Sequence, residues 1–386
     1  MQGVFCSGNG GEARAMEVRQ AKEAARRWAW EQGERNPALV GAYLAGSILE
    51  AEEEEDWPAS SDVDVVLVYT RGCCPAKWGK FLFQGVLLEG TCLEEGSFSS
   101  LEQVLTTHYL AYSLNAGEIL WDPTGHFTRL HRAVSGAYAQ EEWVRARCHA
   151  LVEQVRKGLS NPPQDGFPQR VNGWLFPTGI TCFPLLAADL RNCTVRKRYS
   201  AVRQTLTRRG LEEYYPQLLE LLVPRPLGRE KLFSHLGQLE ESFRLASGSQ
   251  GPSRDYPFRG DISAQGAAVA LEGSRELIRS PWPEEAVFWM GATFARCQII
   301  LDLDDPALGA RRLEAFQAFL EDLGLWDEGD FTSRSRKVLE FLPELEDLAR
   351  EVASRRERGF LSKDFDKKEL TKPGRDAIVK AYSDSM

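Results

Sequence analysis

The hydrophobic period of this chain changes once, near residue 128, and that change limits the architectures open to it. Before it, short apolar and β-branched runs lie between turn residues: Leu39–Ala45, Asp62–Tyr69, Phe81–Leu93 and Gly117–Pro123. Runs of this length bounded by Gly, Ser and Pro read as strands, the first two buried. Two helical patterns accompany them. One runs from Glu12 to Gln32 through Val18, Ala21, Ala25, Trp28 and Ala29, and the other from Ser99 to Asn115. After residue 128 apolar residues recur at steps of three and four, as in Ala286, Met290, Phe294, Cys297 and Leu301, in Leu236, Leu239 and Phe243, and in Val338, Leu342, Leu345, Leu348 and Val352. Helices without intervening strands suggest a bundle. The fold class expected is α+β, with a small sheet domain over residues 12–135 and an all-α bundle over 136–355. At 386 residues the chain is longer than one hydrophobic core supports, which agrees with two domains.

Three segments fall outside these patterns. Residues 1–11 are Gly-rich and read as a mobile extension, with Met16 an alternative start. Ser247–Gln265 is rich in Gly, Ser and Pro and reads as a long loop. Residues 356–386 read as a charged tail.

Eight Cys without metal-ligand spacing exclude a disulfide scaffold or zinc ribbon and point to reducing cytosol. No signal peptide is expected. Val171–Leu190, the most apolar later stretch, is broken by Asn172, Pro177 and Pro184, so no membrane span is expected either.

The net charge of −9 is uneven: residues 1–135 carry 11 Lys/Arg against 19 Asp/Glu, leaving 36 against 37 for the rest. An acidic chain argues against nucleic acid as a partner. Arg191–Arg209 is the basic exception, with seven Lys/Arg and no acid. Its readings are a solvated helix face, a source of phosphate ligands, Arg196 and Arg198 first, and, third, nucleic acid, for which Tyr199 is the only interleaved aromatic.

Chemistry concentrates at Gly46-Ser47, fourteen residues, then Asp62-Val63-Asp64. In a strand, positions 62 and 64 project to one side with Cα atoms roughly 6.6 Å apart. Paired carboxylates repel unless a cation neutralises them, and a hard divalent ion such as Mg²⁺ suits them. A Gly-Ser turn between strand and helix lets a phosphate approach backbone N–H groups, with the Ser47 hydroxyl as a further donor. Together these parts describe a nucleoside-triphosphate site. A second acidic motif, Asp302-Leu-Asp-Asp305, has no such turn before it and reads as surface. The five His and the residues Trp174, Trp282 and Trp289 read as packing or surface.

Ala45-Gly46-Ser47 followed by Ser61-Asp62-Val63-Asp64-Val65 resembles the core pattern of the DNA polymerase β-like nucleotidyltransferase superfamily, in its minimal and antibiotic-modifying branches. Gly117–Gly125 resembles the closing strand of those domains. Thr194–Tyr199 and the helices after it are similar to the helical C-terminal domains of some bacterial members. The motif-bearing likeness covers residues 12–130 and is looser beyond.

The resemblance implies a small mixed-sheet nucleotidyltransferase domain in which Asp62 and Asp64 hold one or two Mg²⁺ ions. A third carboxylate completes the metal site or acts as base; Glu89 is the match and Glu94 the alternative. Gly46, Ser47 and Ser61 would bind the triphosphate of ATP or another nucleotide. A nucleoside monophosphate would pass to a hydroxyl of a small-molecule acceptor, releasing pyrophosphate. The acidic first third, including Glu50–Asp56, favours a cationic acceptor such as an aminoglycoside. A lincosamide or a protein hydroxyl is the alternative acceptor, and an antitoxin-like regulator that nucleotidylates or binds a partner protein is the competing class. The gap between Ser47 and Asp62 exceeds the family's usual one, and its acids are expected in an exposed loop beside the mouth.

Overall fold

Alternation along one strand, β2 (Val63–Tyr69), divides the sheet into two apolar faces. Val63, Val65, Leu67 and Tyr69 pack against Val18, Ala21, Ala25 and Trp28 of helix α1 (Val18–Arg35). Val66 and Val68 face the opposite side. There they join Val104 of α2 (Leu101–Thr106), Leu110 of α3 (His108–Ala116), and Phe127 and Leu130 of α4 (His126–Ala137). The computed structural model describes residues 16–75, 78–163 and 165–361. The expected extension at 1–11 and the last part of the expected tail, 362–386, lie outside them.

The other strands are β1 (Leu39–Ala45), β3 (Gly79–Phe83), β4 (Val86–Glu94) and β5 (Ile119–Trp121), ordered β3-β4-β2-β1-β5. β2 and β4 run parallel and the other neighbours antiparallel, so the sheet is mixed and the fold is α+β. β1 lies where the sequence places it, residue for residue, and β2 is one residue shorter than expected.

Two expected elements are corrected. Phe81–Leu93 is a hairpin rather than one strand: Gln84 (φ 50°) and Gly85 (φ 81°) are both left-handed, as a two-residue type I′ turn requires, and Phe83 pairs with Val86. The helix expected over 99–115 breaks at Thr107, where ψ is 107°. There the Thr106 and Thr107 hydroxyls donate to the carbonyls of Glu102 and Gln103, competing with helical bonding.

The remaining helices among the described residues are α5 (Glu141–Ser160), α6 (Phe167–Ile180), α7 (Phe183–Ala188), α8 (Arg198–Arg209), α9 (Tyr215–Glu220), α10 (Arg229–Gly248), α11 (Gly273–Arg279), α12 (Val287–Asp304), α13 (Pro306–Asp322) and α14 (Glu328–Leu361). α14 continues past residue 356, where the tail was expected to begin. α12 is buried on every side from Val287 to Leu301, which makes it the centre of the helical core. Two apolar stretches, Phe167–Ala188 and Pro283–Asp304, are long enough to cross a membrane, and they are 78% and 89% buried inside the protein.

The 247–265 segment is largely loop, with short turns at Pro252–Asp255 and Arg259–Asp261. Asp304 fastens it, accepting from Ser249 Oγ (2.7 Å), Ser253 N (2.8 Å) and Ser253 Oγ (2.7 Å). Asp305 caps α13 by accepting from Leu308 N (2.9 Å). The second acidic motif is at the surface as expected, with Asp302 and Asp305 exposed, and through Asp304 and Asp305 it also makes structural hydrogen bonds.

Candidate functional site

Four strands contribute one row of residues at the sheet end nearest the helical part: Ala45 pairs with Asp64, Asp64 with Glu89, and Glu89 with Lys80. Asp62 precedes Asp64 by two positions and shares its face. One ligand oxygen from each of Asp62, Asp64 and Glu89 lies within 4.8 Å of the others. The chain leaves β1 through Gly46, whose φ of 75° favours glycine, and a Cβ there would stand 1.8 Å from Asp64 Oδ2. Gly46 is thus required twice, by its backbone and by the carboxylate it touches.

Glu94, the alternative third carboxylate, sits five residues farther along β4, roughly 16 Å at ~3.3 Å per residue. It pairs with Tyr69 and accepts from Gly72 N (3.1 Å). Glu89 is the residue that joins the cluster.

Lys80 is the member that sequence reasoning missed. Its Nζ donates to Asp62 Oδ2 and to Glu89 Oε2, and its side chain is only 6% exposed. Burial pushes the Asp62 carboxyl up and Glu89 adds to that push, while Lys80 opposes it. Burial alone would lower the Lys80 ammonium, but Asp62, Glu89 and Asp261 together hold it well above its ordinary value. The lysine therefore stays charged. Three carboxylates against one ammonium leave a negative surplus, and their donors are hard oxygens, so the cluster fits a divalent cation such as Mg²⁺.

The cluster opens on a cleft of about 500 Å³ between the sheet and the helical part. Ser47 and Ser61 line it, as do Arg196 and Lys197. Ser47 opens a single 3₁₀ turn, Ser47–Glu50, rather than the α-helix expected there, so a phosphate at Gly46-Ser47 would meet one turn's N–H groups and little helix dipole. Arg196 Nη2 donates to the Ser60 carbonyl (3.1 Å), and its Nη1 lies 3.7 Å from Glu276. Glu276 in turn accepts from Ser60 Oγ (2.6 Å), which ties the strand entrance to α11.

Arg198 is a correction. It is buried in the helical core with its guanidinium 3.6 Å from the Phe288 ring centroid and 4.7 Å from that of Phe183, and it does not line the cleft. Burial lowers its pKa to about 10. The rest of the basic stretch is mostly committed internally. Arg203 pairs with buried Glu285 (2.6 Å), Arg209 with buried Asp189 (2.7 Å by its Nε), Arg208 with the same Asp189 (3.6 Å) and Arg191 with Glu50 (3.3 Å). It is neither an open phosphate patch nor a merely solvated face.

The acids of Glu50–Asp56 are exposed, as expected of a surface loop, but they do not shape the cleft. No residue of Glu50–Asp56 lines the cleft. Glu53 and Glu54 pair with Arg19 and Lys22 of α1, and Val18 N donates to the Glu55 carbonyl (2.9 Å). The far wall comes instead from residues distant in sequence. Asp261 pairs with Arg296 (3.2 Å), and Arg296 lies 4.7 Å from the Phe258 centroid and 5.3 Å from that of Trp289. Lining carboxylates (Asp62, Asp64, Glu89, Asp261) are matched by lining cations (Lys80, Arg196, Lys197, Arg296), so the cleft is not the strongly negative mouth that composition suggested. No His lines it.

No family model matches the chain, and neither a curated protein nor a solved structure shows significant similarity to it.

Proposed function

We propose that the chain is a Mg²⁺-dependent nucleotidyltransferase, moving a nucleoside monophosphate from ATP or another nucleoside triphosphate to an acceptor hydroxyl. The observation that carries this reading is the carboxylate row: three acids from two parallel strands converge beside a Gly-Ser turn, facing a cleft large enough for a nucleotide. On this reading the sheet with its flanking helices is the catalytic domain and the helical part supplies the acceptor side.

Asp62, Asp64 and Glu89 would hold the ion, which when bound neutralises charge on the triphosphate. Gly46 and Ser47 bind phosphate oxygens through backbone N–H and hydroxyl, and Arg196 supports that end of the cleft. Glu89 Oε, two strands from Gly46, accepts the proton of the acceptor hydroxyl. The acceptor oxygen attacks the α-phosphorus and pyrophosphate leaves. A cleft of balanced charge favours a neutral or weakly charged acceptor over a polycation, which departs from the aminoglycoside expectation.

The test is transfer of α-labelled nucleotide with Mg²⁺ or Mn²⁺ across antibiotics, extract metabolites and purified proteins. Label should reach an acceptor with the wild type and not with Asp62→Asn or Asp64→Asn. Transfer by either variant at the wild-type rate would overturn the reading.

A further inference from the structure

Lys80 stands where a metal ion's charge would be needed. Its Nζ donates to one oxygen of Asp62 and one of Glu89, two of the three candidate ligands, and it is almost wholly buried there. The position is fixed by the hairpin: the Gln84-Gly85 turn sets the register that places Lys80 directly opposite Glu89. A third acid, Asp261 of the 247–265 loop, lines the same cleft as Lys80 and is itself held by Arg296.

An ammonium on one oxygen of Asp62 and one of Glu89 repels a divalent cation entering the same cluster and occupies lone pairs that cation would use. A cation entering alone would have to share the cluster with a buried ammonium or push it toward Asp261, which is already paired with Arg296. A triphosphate changes that balance, because its oxygens accept strongly from an ammonium in the same cleft.

We propose that Lys80 is a built-in counter-ion of the carboxylate cluster that keeps free divalent cation out and moves to the nucleotide's phosphate oxygens when nucleotide and cation bind together. The inference rests on the nucleotidyltransferase reading and deepens it, making Lys80 a nucleotide ligand as well as a gate. It predicts effects of opposite sign from one substitution. Removing the ammonium should strengthen binding of the cation alone and weaken binding of the nucleotide.

The test measures Mn²⁺ alone by calorimetry or paramagnetic resonance, and separately a non-hydrolysable ATP analogue at saturating Mg²⁺, on wild type, Lys80→Met, Lys80→Gln and Asp64→Asn. Lys80→Gln can still donate to a carboxylate without charge and serves if methionine prevents folding. The expected result is Mn²⁺ affinity at least about tenfold tighter, and analogue affinity at least about tenfold weaker, in the Lys80 variants. Mn²⁺ binding that Asp64→Asn abolishes but the Lys80 variants leave unchanged or weakened would overturn the role of Lys80 and leave the metal site standing. Absence of both Mn²⁺ binding and analogue binding from every protein would overturn both readings together.

Discussion

The acidic run at Glu50–Asp56 and the trio Asp62, Asp64 and Glu89, the first two of which follow the run by a few residues, have opposite fates. The run holds six carboxylates in seven positions, yet none lines the cleft, and two of them, Glu53 and Glu54, are fastened to α1 by Arg19 and Lys22. The trio is sparse, yet pairing of β2 with β4 brings its oxygens within 4.8 Å of one another. Charge density along a chain is local, whereas a site is made by register between strands. The basic stretch at 191–209 teaches the same lesson, since Arg203, Arg208 and Arg209 close on buried Glu285 and Asp189.

Substitutions can break or sharpen this contrast. Asp64→Asn should lower nucleotide transfer roughly a thousandfold while leaving the fold intact, because it removes charge from the centre of the row; initial rates with labelled nucleotide and a circular dichroism spectrum would check it. Gly46→Ala should follow, at roughly a hundredfold loss in transfer, because a Cβ displaces Asp64 and misplaces its oxygens. The left-handed backbone adds a stability cost of about 1–2 kcal/mol, readable by urea denaturation.

Glu285→Ala probes the arginine side of the comparison. It strands Arg203 and Tyr215 and should cost about 2 kcal/mol of stability, while the transfer rate per folded molecule stays unchanged.

His108 supplies a pH test. Burial, with Arg198 and Arg147 nearby, holds its imidazole down to about 4, against an ordinary value near 6.5. The native state therefore binds fewer protons than the unfolded chain between those values. Its contribution is present above pH 6.5 and is lost as the pH falls toward 4. The wild type should lose about 2 kcal/mol more stability between pH 7 and 4.5 than His108→Phe does. An equal pH dependence in the two proteins would place the imidazole in solvent.

The smallest effect belongs to the acidic run. Replacing Glu52, Glu54 and Glu55 together by Gln should change stability by less than about 0.5 kcal/mol and transfer by less than roughly twofold. A large loss of transfer would return the run to the mouth of the cleft.

Much of the sheet was legible because it obeys short-range rules. Leu39–Ala45 is apolar, of strand length and closed by a turn, and Asp62 and Asp64 share a face by alternation alone. Lys80 escaped because Phe81–Leu93 reads as one continuous apolar run. Recognising Gln84-Gly85 as a two-residue turn would have placed Lys80 opposite Glu89 by counting outward. Arg196 and Arg198, two residues apart, could not be told apart from sequence. Which one reaches the cleft depends on Phe183 and Phe288, rings from two other helices that enclose Arg198. Asp261 and Arg296 were beyond reach for the same reason, since the wall they form is assembled by tertiary packing.

The most direct measurement is anomalous scattering from crystals grown with Mn²⁺ and a non-hydrolysable ATP analogue. One or two peaks among the oxygens of Asp62, Asp64 and Glu89, with triphosphate density over Gly46-Ser47 and Lys80 withdrawn from the carboxylates, is the predicted result. A nucleotide bound elsewhere, or no peak at the trio with Lys80 still bridging Asp62 and Glu89, would contradict it.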